Sequence, residues 1–286
     1  LSLVLNAGSV QNGAAATEDQ PAVIAGQALT NDQAMADTGV VSSETLDNQI
    51  LSSIGSDSTS ATVATDNNVM SASATANEAD NTVSLAFNDL QGTISGTGTG
   101  VVAATANEQT LADDSTITAR NVGLNGEPIR TEFGSDTFDS SVSTSGNTVS
   151  VSANGNVTTG NDVVVDATNI TSGSEAAPVT TTAGSLSATG SFISASTQTS
   201  GADILASQNN VAGTASNTII TEFGNDIEPN STVVSDDNVL SAVSTANTAN
   251  NAVQLGDAQT AIVSASGVTA NYQSTSAAGS VSALLG

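Results

Sequence analysis

Asn147-Thr148-Val149-Ser150-Val151-Ser152-Ala153-Asn154-Gly155-Asn156 is the stretch on which the fold turns. On an extended chain Val149, Val151 and Ala153 fall on one side and Ser150 and Ser152 on the other, the period of two that marks a strand. The same frame, with Asn at both ends, recurs at Asn68–Asn77 and at Asn238–Asn247. Its leading Asn residues, Asn68, Asn147 and Asn238, stand 79 and then 91 residues apart.

The match extends in both directions. Upstream lie Ile54-Gly55-Ser56-Asp57, Phe133-Gly134-Ser135-Asp136 and Phe223-Gly224-Asn225-Asp226, with Ile50, Ile129 and Ile219 four residues before each opening residue. Downstream come Asn81, Asn161 and Asn251, then Val83, Val163 and Val253, then Leu85, Val165 and Leu255. Coincident motifs at nearly fixed offsets define an internal repeat. The expected units are 50–128, 129–218 and 219–286, after an N-terminal strand and cap region, 1–49. Gly55, Gly134 and Gly224, and Asn68, Asn147, Asn238, Asn77, Asn156 and Asn247, are assigned to corners, because Gly and Asn tolerate the left-handed backbone of tight turns. Asn side chains at matching positions of stacked coils can also bond up and down as a ladder.

Composition narrows the architecture. Aromatic residues make up 2% of the chain and charged residues 10%, while hydrophobic residues still reach 38%. Aromatics supply the largest burials, so a thick two-layer core is hard to build from this sequence. A narrow column of Val, Ile, Leu and Ala is easier, and stacked coils provide one. The expected fold is all-β, a repetitive β-solenoid of three related units; tandem β-sandwich modules are the alternative, and a polar low-complexity chain raises the competing reading of disorder. Further strands are expected over 92–106, 115–124, 179–196, 217–223 and 260–266. Val83, Leu85 and Phe87 alternate as Val149 and Val151 do, and Val243 and Thr245 do so more weakly. An Ala-rich stretch over 20–36 suits a short helix, and Leu1–Val10 an amphipathic strand.

The absent residue types exclude most chemistry. The chain has no His, Cys, Lys or Trp, two Arg (Arg120 and Arg130) and 28 Asp plus Glu, for a net charge of -26. No Ser–His or Ser–Lys nucleophile can be assembled, and no Schiff base or Lys–Asn cross-link. Carboxylate-only chemistry such as glycoside hydrolysis survives, but the aromatic platforms that hold sugars are missing apart from Tyr272 and five Phe. The chain is expected not to be an enzyme. Its charge repels nucleic acid, and no run of apolar residues is long enough for a membrane helix. A chain that opens on Leu1 reads as a mature or trimmed product that has lost a targeting segment.

Asp136 with Asp139 and Asp226 with Glu228 offer the hard oxygens that Ca²⁺ prefers, as do Asp113–Asp114 and Asp236–Asp237, so Ca²⁺ is the one cofactor these residues would suit. Neither the EF-hand loop nor the calcium-solenoid nonapeptide is present, and solvated surface charge is the competing reading. Asn156, Asn169 and Asn230 open Asn-x-Ser/Thr sequons.

The frame Asn68-Val69-Met70-Ser71-Ala72-Ser73-Ala74-Thr75-Ala76-Asn77 and its two echoes resemble the repetitive surface adhesins of Gram-negative bacteria, and loosely the holdfast-anchor proteins of stalked alphaproteobacteria. The resemblance covers the three repeats. It implies an extracellular, cell-surface protein that attaches an adhesive polysaccharide at the outer membrane; it carries over no functional residue. The expected function is a structural subunit of a surface fibre or adhesin, with copies of itself as partner and polysaccharide or other surface proteins as further partners. An ice- or polysaccharide-binding solenoid and a phage tail-fibre shaft are the alternatives. Assembly is expected head to tail through uncharged, strand-like ends: Leu1, Leu3 and Leu5 at one, Val281 and Leu284 at the other.

Overall fold

The structure is a computed structural model, and it describes residues 2–6, 9–10, 25–86, 93–94, 101–166, 169–171, 178–180, 187–208, 217–224, 230–256, 260–264 and 266–285. The chain winds as successive coils that follow one circuit of strands, of which the last coil supplies strands to the first four walls. The first carries β1 (Ser2–Asn6), β2 (Ser9–Val10), β3 (Ala25–Met35), β4 (Val40–Asn48), β5 (Ile50–Ile54) and β6 (Thr62–Ala64). The second repeats it with β7 (Val69–Ala86), β8 (Thr93–Ile94), β9 (Val101–Leu111), β10 (Thr116–Gly123), β11 (Ile129–Phe133) and β12 (Ser141–Ser145). The third has β13 (Thr148–Asp166), β14 (Asn169–Thr171), a hairpin of β15 (Pro178–Thr180) and β16 (Ser187–Thr189), then β17 (Phe192–Ser200), β18 (Asp203–Ser207), β19 (Ile219–Phe223) and β20 (Thr232–Asp236). The last comprises β21 (Val239–Ala249), β22 (Ala252–Leu255), β23 (Ala261–Ser264), β24 (Gly267–Thr275) and β25 (Val281–Leu284).

Equivalent strands of successive coils pair in parallel and form six walls along the stack. The first wall is β1-β7-β13-β21 with β22 beside β13, the second β2-β8-β14-β23, the third β3-β9-β17-β24 and the fourth β4-β10-β18-β25; β5-β11-β19 and β6-β12-β20 complete the circuit. This is a parallel β-solenoid. Tandem sandwiches would confine each sheet to one repeat, whereas here every wall joins strands from different coils. Only the β15–β16 hairpin is antiparallel among the described pairings. The register is tight: Ile50, Ile129 and Ile219 stack, as do Val69, Thr148 and Val239 at the start of the first wall.

The repeat is therefore one turn of the stack, and the described strands of the N-terminal region join it. Its strands β3 and β4 pair with β9 and β10 as the first circuit of the stack. The helix expected over 20–36 is corrected to strand from Ala25 onward. Leu29, Asn31, Gln33 and Met35 stack on Thr105, Asn107, Gln109 and Leu111, so a parallel partner outweighs the intrinsic helical preference of Ala. Polar Asn31 and Gln33 on the inner face had hidden the period of two.

Two irregular spacings have local causes. The step from 79 to 91 residues falls in the third coil, where the β15–β16 hairpin is inserted between the second and third walls and lies against β9, β17 and β24. The extra residue between Asn156 and Asn161 is a β-bulge: Thr158 pairs with Ala79 and Gly160 with Asp80, which leaves Thr159 outside the ladder.

The first wall packs against the third and fourth. Val83, Leu85, Val163 and Val165 meet Ala103 and Phe192 at one end of this interior. Ala72, Ala74, Val151 and Ala153 meet Leu111, Ile117 and Ile204 at the other. Met70, Ile129 and Val149 make a third cluster, and Val63, Phe133 and Val142 a fourth between the fifth and sixth walls.

Candidate functional site

Between the two larger apolar clusters the interior turns polar without turning charged. On the first wall Asn77 donates from Nδ2 to Asn156 Oδ1 at 2.9 Å, and Asn156 to Asn247 Oδ1 at 2.8 Å. Facing them on the third wall, Gln109 donates to Gln33 at 2.7 Å, Gln198 to Gln109 at 2.8 Å and Gln273 to Gln198 at 2.8 Å. This glutamine ladder passes through four coils. Thr158 ties the two walls, accepting from Asn107 and Gln198 and donating to Gln109. Asn31 donates to Asn107 at 2.8 Å beside it. A buried amide is costly unless its donors and acceptors are matched. Identical amides repeated at the strand spacing satisfy that condition, since each can donate to the copy in one neighbouring coil and accept from the copy in the other.

Asn77, Asn156 and Asn247 thus lie within the strands of the first wall, not at corners, and the corner assignment is corrected for them. Asn68, Asn147 and Asn238 do follow a corner. They form their own ladder, Asn68 to Asn147 at 3.0 Å and Asn147 to Asn238 at 2.9 Å. The left-handed residue is the one before each: Asn67 (φ 57), Gly146 (φ 67) and Asp237 (φ 50). Gly55, Gly134 and Gly224 share another corner, with Gly134 N–H bonded to Ile54 C=O and Gly224 N–H to Phe133 C=O. Their backbone is not left-handed. Gly134 and Gly224 are required by contact, because a Cβ on them would meet the Ser56 and Ser135 backbone nitrogens at 2.3 Å.

The acidic candidates separate. Asp226 and Glu228 lie outside the described residues. Asp136 (φ 57) and Asp139 (φ 50) occupy left-handed turn positions. Asp136 stacks with Asp57 (φ 60), and Asp139 with Ser60 (φ 55) and Asn230 (φ 67), whose amide donates to Asp139 at 3.0 Å. Asp and Asn take this conformation more readily than other side-chain-bearing residues, so the turn itself accounts for them. Asp113 and Asp114 line a groove of about 480 Å³ with Asp37 at the corner of the third and fourth walls. There Asp113 reaches past Gly201 and accepts from Ser276 at 2.9 Å. Among the described residues no group of three or more acidic side chains gathers as a metal centre. No described helix is long and apolar enough to cross a membrane.

The two cations behave differently. Arg130 is clasped by Glu127, Glu132 and, from the next coil, Glu222. The bond to Glu127 raises its pKa further above the usual value, against the opposing effect of burial. Arg120 lies 3.9 Å from Glu44 and lines a cavity of about 250 Å³ with Leu46, Val122 and Asn125.

Of the end residues, Leu1 lies outside the described part, and Leu3 and Leu5 pair in register with Val83 and Leu85 at the outer edge of the first wall. Val281 and Leu284 are exposed on β25 at the opposite end of the fourth wall. The two sets stand at opposite ends of the stack. Of the sequons, Asn156 is fully buried and inaccessible to glycosylation, Asn230 is exposed, and nothing is described of the Asn169 side chain.

Comparison with protein-family models, with curated proteins and with solved structures found no match to this chain.

Proposed function

We propose that this chain is a non-enzymatic structural segment of an extracellular bacterial surface fibre or adhesin, a column that projects from the cell and mediates attachment. The amide ladders that run coil to coil carry this reading. Three of them, begun by Asn68, Asn77 and Gln33, bind each coil to the next in one register. A directional bond repeated at every level resists sliding and bending, a property that serves a shaft more than a catalyst. The strands at either end of the stack have one edge without a partner among the described residues. Such an edge is a template for a further parallel coil, whichever chain supplies it, and growth head to tail yields an open filament. The high negative charge keeps such columns apart sideways, and Ca²⁺ is proposed to act on it by screening alone.

A second reading has one observation in its favour. The outer face of the first wall carries uncharged columns, Ser71–Ser150–Ser241 and Ser73–Ser152–Val243, which would suit polysaccharide or ice. Negative-stain microscopy with a sedimentation assay on insoluble polysaccharide separates the two. Filaments that lengthen with concentration support the shaft. Monodisperse rods that co-sediment with polysaccharide, or halt ice growth, overturn it in favour of the second reading, and three-chain fibres point to an intertwined shaft.

A further inference from the structure

One amide column does not pair with itself. Asn81 and Asn161 stack in register, and Asn251 follows in the next coil, directly before the Ala252 that pairs with Asp162. Asn81 and Asn161 are almost wholly buried, at 1% and 0% exposure. In all three residues the side-chain oxygen Oδ1 is buried and has no hydrogen-bond partner among the described residues. Two of the three amide orientations are fixed independently of these oxygens. Asn161 Nδ2 donates to the Ala195 carbonyl at 2.9 Å and Asn251 Nδ2 to the Ala270 carbonyl at 3.3 Å, and a carbonyl can only accept. Flipping either amide would break that bond. On the facing wall the hydroxyl of Thr105, fully buried, is likewise without a partner.

We propose that this column binds a file of water molecules, one bridging Asn81 to Asn161 and one bridging Asn161 to Asn251. Successive strands of a sheet lie about 4.8 Å apart. A water that donates to both flanking oxygens at about 2.8 Å then subtends an angle of about 118° between them, close to its own bond geometry. Acceptor-only oxygens repeated at that spacing call for a ligand with two donors, and water brings two. A bare metal cation fits less well, because two amide oxygens per interval fall short of the six to eight that a hard divalent ion collects. The Thr105 hydroxyl supplies a third polar partner for the first water, within the two to four that buried waters make. The file lies against the Val83, Leu85 and Phe192 cluster, where an unpaired amide oxygen is least tolerable. The proposal does not rest on the fibre reading.

A crystal structure at about 1.2 Å resolution, where amide orientation is legible, tests it directly, on crystals grown in sodium and in rubidium salts. The expected result is a spherical peak between each pair of Oδ1 atoms, without anomalous signal in the rubidium crystals. Anomalous peaks there would make the column a cation file, and Oδ1 atoms turned to protein donors would abolish it; either result overturns the proposal. In solution, Asn161→Leu is expected to remove both long-lived water signals from nuclear Overhauser spectra and leave the Asn77–Asn156–Asn247 amide resonances in place. Persistence of both water signals in that variant would also overturn the assignment.

Discussion

The two halves of the interior hold the coils together by different physics. Around Val151, Ile204 and Leu111 the packing is apolar and non-directional, so its contribution depends on the area removed from water rather than on which residue meets which. A slide of two residues along the strand, which keeps the inward face inward, could trade one Ala or Val for another at modest loss. The amide slab around Gln109 and Asn156 tolerates no such exchange. Moving one coil by two residues would set Gln198 opposite Asn107 or Leu111 in place of Gln109, and the buried amides would lose their matched partners. The apolar columns supply cohesion, and the amide ladders supply register.

Breaking that comparison begins with the apolar side. Phe192 is the largest fully buried side chain among the described residues, and Phe192→Ala is expected to destabilise by about 4 kcal/mol through lost transfer energy and the cavity left behind, read as a shift of the denaturant midpoint at unchanged slope. Gln198→Leu keeps much of the volume but strands its partners, Thr248 C=O and the Gln273 amide among them. A loss of about 3 kcal/mol is expected, with the slope changed as well if register is lost. A stabilised Gln198→Leu variant would show that the slab is tolerated rather than needed.

Smaller effects sharpen the contrast at the corners. Asn147→Leu removes both bonds of the corner ladder, to Asn68 and to Asn238, and the bond to Thr65 C=O, and is expected to cost about 2 kcal/mol in chemical denaturation. At Asp136 the left-handed backbone predicts that Asp136→Ala costs about 1 kcal/mol while Asp136→Gly is close to neutral in thermal unfolding. Were the carboxylate a Ca²⁺ ligand instead, Asp136→Asn would abolish a calcium-specific rise in melting temperature. The smallest effect is expected from the ions: at matched ionic strength Na⁺ and Ca²⁺ should raise the melting temperature equally by screening the net charge of -26.

Much of the architecture was legible because a solenoid repeats its instructions. The alternation of Val149, Ser150, Val151 and Ser152 marks a strand wherever it occurs, and the stacked Asn68, Asn147 and Asn238 mark equivalent points of successive coils. Where signals fell silent, the reason was local. Strand β3 read as helix because its inward residues include Asn31 and Gln33, and a polar inner face cancels the hydrophobic period. The glutamine ladder was missed for the same reason, although Gln109, Gln198 and Gln273 follow Asn107, Ser196 and Asn271 at the same interval. The acidic pair Asp136 and Asp139 carried a metal reading because composition records a charge but not the φ angle that selects it.

The sequence by itself determined the strand period and the recurrence of one frame at Asn68, Asn147 and Asn238, because each depends on residue type and spacing alone. Only the tertiary structure decided that the repeats are coils of one stack, that β3 and β4 belong to it, and that Asn156 faces inward. Those outcomes rest on which strand becomes the neighbour of which. A side chain such as Gln198 is either a buried liability or a rung of a ladder according to whether another Gln lies one strand away.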